Sequence, residues 1–123
     1  MSATSKIAAF NKQTQLKILR TFRGTCLSMF GKIVARTPVD TGRARGNWQS
    51  SLNTPSLQID PTGEGYQATI ASVKLGDSVF FINNLPYIEE LEDGSSDQAP
   101  AGMVKVTAAE YESIASRELR RNR

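Results

Sequence analysis

The chain contains no histidine and a single cysteine, Cys26. Without imidazole it lacks both the usual base for a cysteine nucleophile and the commonest metal ligand, and a lone cysteine closes no internal disulfide. Cys26 reads as a small buried apolar side chain on a helix, and hydrolytic chemistry is confined to carboxylates or lysines. Long apolar runs are missing as well: no stretch approaches the roughly 20 residues of a membrane span. MSATSKIAAF lacks the apolar block of a secretory signal, so the expectation is a protein used in the cytoplasm where it is made, with no membrane partner. Acids are scarce in the first fifty positions, where nine Lys/Arg face only Asp40. Residues 51–103 invert that balance, and the regional charges run +8, −7 and, over 104–123, +2. Such asymmetry predicts complementary surfaces, the basic N-terminal half of one subunit meeting the acidic 77–97 segment of the next.

What is present is ordinary for one globular domain, with 39% apolar and 22% charged residues among 123. From Ser5 to Arg36, Ile7, Phe10, Thr14, Ile18, Phe22, Cys26, Met29 and Ile33 recur at helical spacing. A second set, Leu16, Leu19, Leu27, Phe30 and Val34, widens that face. A helix of about thirty residues spans roughly 45 Å, more than the width of such a domain. Part of it must therefore find a partner outside its own core or break, with Gly24 and Gly31 as the places to bend. Pro38 ends it.

GNWQSSLN at 46–53 alternates as a strand, and TPSLQIDPTGEG is a loop. YQATIASV at 66–73 reads as a second strand and VFFIN at 79–83 as a third. NNLPYIEELEDG gives one or two helical turns stopping at Gly94, followed by the polar loop SSDQAPAG. Residues 103–123 form a closing helix with the stripe Val104, Ala108, Tyr111, Ala115 and Leu119. The predicted class is α+β: a long N-terminal helix, a small antiparallel sheet of three to four strands, and a C-terminal helix packed on one face. The single domain divides into 1–36, 37–83, 84–103 and 104–123.

The segment TPVDTGRARGNW, residues 37–48, holds an Asp-Thr-Gly triplet. Aspartic proteases use that triplet to pair two carboxylates around one proton, which here would require a dimer. Pro38 replaces the strand residue that family needs, and Arg43 stands where a small residue belongs. A cation beside the dyad would ionise both carboxylates. A structural corner fits better than an enzyme. Asp40 accepts amide hydrogen bonds from the positions following it, Gly42 permits the reversal, and Arg43 and Arg45 project outward.

TPVDTGRARGNW followed by NNLPYIEELEDGSSDQAPAGMV at 83–104 resembles the tail-completion or neck family of tailed bacteriophages, the proteins similar to the minor tail protein Z of phage lambda. Order, spacing and lengths agree over nearly the whole chain. Pro38, Asp40, Thr41, Gly42 and Arg43 match the first corner of that family. Asn84, Pro86, Tyr87, Leu91, Glu92, Gly94, Gln98, Pro100 and Gly102 match the second. Asp93 and Asp97 depart from it, since aromatic and basic residues are common there. The resemblance implies no catalysis and no cofactor. It implies a structural protein of the virion neck, assembled in the bacterial cytoplasm as a homo-oligomeric ring, a hexamer. The partners it implies are the portal adaptor or connector, the tail terminator or tail tube, and DNA passing through the lumen without sequence specificity.

Residues 95–103, with Met103 as an adaptable apolar anchor, are expected to be a docking loop that is loose in the free protein. A non-specific nucleic-acid-binding module is the main rival, drawing on the basic N-terminal half and RELRRNR. The acidic 77–97 segment and the lack of a helix-turn-helix or stacking-aromatic motif count against it. A small toxin, antitoxin or regulatory domain is also compatible with the composition.

Overall fold

The computed structural model describes residues 2–39 and 42–123. Helix α1 runs unbroken from Ala3 to Arg36, capped by Ser2, whose hydroxyl accepts the Ser5 N–H at 3.1 Å. It stops at Thr37, which turns extended (φ −76°, ψ 132°) ahead of Pro38. Neither glycine interrupts it. Gly24 lies so close under the Glu118 side chain that a Cβ there would collide with the carboxylate, and Gly31 backs onto the Tyr66 hydroxyl.

The remaining elements are α2 (Arg43–Gly46), β1 (Gln49–Leu52), α3 (Tyr66–Ala71), β2 (Val79–Ile82), α4 (Ile88–Glu92), α5 (Val104–Ala108) and α6 (Tyr111–Arg121). Strands β1 and β2 pair antiparallel, with Gln49 opposite Ile82 and Leu52 opposite Val79. The α+β class holds, but the sheet of the described residues has two strands, not three to four. The segment 66–73, expected as a strand, is helix α3 and its exit. Tyr66, Ile70 and Val73 are spaced by four and three, so one helical face buries Ile70 and Val73 completely and partly buries Tyr66. Period-two alternation over so few residues fits the same letters.

The closing helix also differs from expectation. It is divided at Ala109–Glu110, where Glu110 pairs with Lys32 and Arg36 of α1. The expected stripe is largely exposed. Its place against α1 is taken by Thr107, Ile114 and Glu118, about 100° around the helix, because the missing side chain at Gly24 admits the Glu118 carboxylate. Helix α6 lies antiparallel to α1, with Glu110 at Lys32, Arg117 at Ser28 and Glu118 at Gly24.

The core has two parts. Cys26, Phe30, Ile70 and Val73 form one, and Ile33, Ala99 and Met103 the other. Phe81 of β2 packs on both. Its ring stacks on Phe30 (centroids 4.1 Å apart, planes 3°) and on Trp48 (5.0 Å, 12°), and meets Tyr66 edge-on at 5.4 Å. Cys26 is buried as expected, and burial pushes its thiol up to about 11.

None of this core reaches the first half of α1, where every residue from 2 to 18 is exposed. Of the predicted apolar face only Cys26, Phe30 and Ile33 are buried. The excess length is thus resolved by projection: some seventeen residues stand off the body as an arm roughly 25 Å long.

Truncating two phenylalanines should separate arm from body. Phe81→Ala, which opens a void between both core parts, is expected to cost about 3 kcal/mol. Phe10→Ala, on the arm, should stay within about 0.5 kcal/mol. Urea midpoints of the dilute protein measure both, and a comparable loss for Phe10 would mean that the arm packs on its own body.

Candidate functional site

The two motif segments, 37–48 and 83–104, meet at the C-terminal end of α1. Four carbonyls at a helix end lack intrahelical donors, and here side chains reach two of them, Ile33 O and Ala35 O, while the Thr37 N–H takes Val34 O. Arg45 folds back rather than projecting, donating to Thr37 O at 2.8 Å and Ala35 O at 2.7 Å. The position suits a cation, since the helix dipole places partial negative charge there. Thr37 is buried; its hydroxyl donates to Ile33 O and accepts the Trp48 indole N–H at 2.8 Å. Pro38 is buried beside it. Gln98 accepts the Val39 N–H at 3.0 Å, which ties the second motif to the first. Asn83 adds a bond to Ala44 O at 2.8 Å.

Asp40, expected as the capping residue of the corner, and Thr41, matched to that corner by resemblance, lie outside the described residues. Gly42 precedes α2 with φ 75°, in the left-handed conformation that the reversal was expected to require. Arg43 does not project freely either. It forms a forked pair with Asp60, Nε to Oδ1 at 3.0 Å and a second nitrogen to Oδ2 at 2.9 Å. Asn47, only 2% exposed, completes this knot by donating to Asp60 Oδ1 and accepting the Asp60 N–H. The Arg43 and Asn47 hydrogen bonds hold the Asp60 carboxyl down at about 2.

In the second segment the organiser is Glu92. One carboxylate oxygen accepts the N–H groups of Met103 (2.9 Å) and Val104 (2.8 Å), and the other accepts that of Lys105 (2.9 Å). These are the donors that the first turn of α5 would otherwise leave unsatisfied. Burial would raise the Glu92 carboxyl, but the three backbone N–H bonds and the nearby Lys105 outweigh it, and the net shift is downward. The close approach requires glycine at both ends of the loop. A Cβ on Gly102 (φ 84°) would lie 2.5 Å from Glu92 O, and one on Gly94 (φ 91°) 2.5 Å from Pro100 O. Asn84 donates to Ser56 O and Gln58 O, pinning the 54–61 loop. Tyr87 is half-buried at the start of α4, and Leu91 packs on the core.

Residues 95–103, expected as a loose docking loop, are anchored to the body at two points. Ala99 and Met103 are core residues, 4% and 0% exposed, so Met103 anchors the loop to its own body instead of offering itself to a partner. Asp97, Gln98, Pro100 and Ala101 form the exposed rim. Asn47 and the triple acceptor role of Glu92 escaped sequence reasoning, because both depend on partners at least eleven residues away.

Chemically the arrangement holds ionised groups in fixed structural bonds. Asp60, Asp77, Glu92 and Glu110 are all shifted down, away from the near-neutral range a general acid or base needs. Cys26 is shifted up, away from thiolate reactivity. Among the described residues no cluster of three or more Cys, Asp or Glu could hold a metal, and no helix is long and apolar enough to cross a membrane. Comparisons with protein-family models, curated proteins and solved structures find no match to this chain.

Each lowered carboxyl contributes stability that is present above its unfolded value and lost as pH falls through its folded one. Unfolding midpoints should therefore drop below about 4.5, the ordinary value for Glu92, and keep dropping towards about 2, the folded value for Asp60. Glu92→Gln should cost about 1 kcal/mol at neutral pH and flatten the upper part of that decline. A pH-titrated melting series checks it, and an unchanged profile would remove Glu92 from its capping role.

Proposed function

We propose that this chain is a structural component of a phage head–tail junction, a neck or tail-completion subunit that joins other proteins and catalyses nothing. The observation that carries the reading is the junction of the two motif segments: the corner and the 83–104 segment, distant in sequence, meet through Val39–Gln98 and Asn83–Ala44. The resemblance to the tail-completion family rests on these same two segments. A surface built from turns and satisfied ionic knots suits docking, because its backbone is fixed before a partner arrives. In this reading copies of the chain assemble head to tail into a ring, a hexamer by resemblance, between portal connector and tail terminator or tube. DNA passes through without sequence readout.

The rival nucleic-acid-binding reading draws on the cations of the arm. A salt titration on short duplexes separates the two, since a binder that reads sequence keeps its preference as salt rises, while a lumen lining shows only weak, steeply salt-dependent attraction. The protease reading would return only with pepstatin-sensitive peptide cleavage abolished by Asp40→Asn.

The direct test mixes filled heads and separate tails made without this protein. Adding the purified chain should yield joined, infectious particles. Asp97→Lys, on the exposed rim, should lower the yield at least tenfold with the melting temperature unchanged. Deleting 96–99 is no substitute, because it removes Ala99 from the core. Heads and tails that join equally well without the chain, or particles that lack it, would contradict the proposal.

A further inference from the structure

The arm presents a problem of its own. Ile7 is 61% exposed, Phe10 68% and Ile18 53%, and with Thr14 and Phe22 they follow one stripe along α1. The stripe continues the seam where α6 covers α1, but α6 stops at Arg121 and leaves it bare. A row of large apolar side chains on a stable helix marks a contact surface. Beside it stand Lys6, Lys12, Lys17 and Arg20, with no acid anywhere in residues 2–20.

The body offers a receptor of matching chemistry. A hollow of about 170 Å3 opens between the start of β1 and helices α4 and α5, walled by Trp48, Ile88, Met103 and Val104, with Glu89 and Glu92 at its edge. Exposed Glu90, Asp93 and Asp97 extend the acidic rim, and Lys105, paired with Asp93 at 3.4 Å, is the cation beside it. The carboxylates of Glu89 and Glu90 make no hydrogen bond or ion pair among the described residues; only their backbone carbonyls are engaged, by Asp93 and Ser95.

Charge and distance decide the occupant. Two arms laid side by side would oppose four cations to four. The apolar hollow between α1 and α6, about 300 Å3, is bounded by helices on which Lys17, Arg20, Arg117, Arg120 and Arg121 outnumber Glu112 and Glu118, a net positive setting that disfavours the arm. The arm cannot reach the α4–α5 hollow of its own chain. That hollow includes Met103, which packs on Ile33, and Phe10 lies twenty-three helical residues from Ile33, roughly 35 Å along an unbroken helix.

We propose that the N-terminal arm of α1 docks on a second copy of this chain, laying Ile7 and Phe10 over the α4–α5 hollow with Lys6 and Lys12 facing Glu89 and Glu90. The contact joins two different patches, so each subunit can give an arm and receive one, and repetition closes a ring or extends a filament. This deepens the head-to-tail assembly proposed above and rests on its homo-oligomeric part, naming both halves of the joint.

Two variants of the purified full-length protein, each adding one cysteine, test it: Phe10→Cys on the arm and Val104→Cys at the hollow, both at exposed positions. Cys26 is buried and its thiol stays protonated, so it does not compete. With a short bis-maleimide, the mixture should give a covalent dimer and each variant alone should not. Adding Glu89→Lys and Glu90→Lys to the acceptor should cut the yield at least tenfold, and adding Lys6→Glu and Lys12→Glu to the donor should restore it. Absence of a mixed dimer up to millimolar protein would overturn the proposal. So would Phe10→Cys linking to itself equally well, which means arm-to-arm pairing, or a short DNA duplex binding the arm while no mixed dimer forms. Head–tail joining by the purified chain without any mixed dimer would remove this joint and leave the proposed function standing. A mixed dimer formed by a chain that joins nothing would do the reverse.

Discussion

The ring of Phe81 holds the molecule together. It lies between Phe30, which belongs to the core around Ile70 and Val73, and Trp48, which belongs to the core around Ile33 and Met103. Each cluster alone is three or four buried side chains, too few to offset the entropy of ordering their share of the chain. Stacked through one aromatic ring they become a single cooperative unit. The two-stranded sheet exists to carry that ring: Phe81 pairs with Ser50, next to Gln49 and Trp48, so strand register places Trp48 and Phe81 together. A two-stranded pairing alone is marginal in water, and this one is held by the aromatic stack above it.

From that stack the candidate surface inherits its rigidity. Trp48 donates to Thr37, and Thr37 closes the end of α1. Met103 sits in the same core part, and the Glu92 carboxylate fixes the three amides that begin α5. The polar, glycine-bearing segment 94–102 is therefore spanned between a helix end and a buried methionine. A surface of this kind presents a partner with a defined shape, whereas the arm presents a rigid rod with nothing yet against it.

Much of the architecture was legible because its signals are local. Helical spacing over more than thirty residues, Pro38 after Thr37, the alternation in Gln49–Leu52 and the apolar run at Val79–Ile82 each announce their element without help from afar. So does Gly94, whose φ of 91° closes α4. The misreadings came where two periods fit the same letters or where a distant residue decided. Tyr66 and Ile70 share a face in helix and strand alike, and only the burial of Val73 beside them decides for the helix. Glu118 faces inward only because Gly24 lies opposite, and hydropathy places no glutamate in a core. Met103 looks like the tip of a loop until Ile33 and Trp48 are beside it. The α1 stripe was correct as a stripe, but sequence could not tell which half faces the body. Asp40 and Thr41, the letters that first suggest chemistry, lie outside the described residues. Their flanks, Thr37 and Arg45, make structural bonds only.

The central claim is one cooperative body with a helical arm that waits for a second copy. Amide hydrogen exchange of the full chain at two concentrations tests it most directly. In dilute monomer, residues 3–17 should exchange within the range of a solvated helix, while 26–36, 79–82 and 99–107 share one slow, global rate. At concentrations where the chain self-associates, protection should rise in 3–17 and in 88–105 together and nowhere else. Arm amides as slow as those of the core in the dilute protein, or a 95–103 segment that opens independently of Phe81, would contradict it.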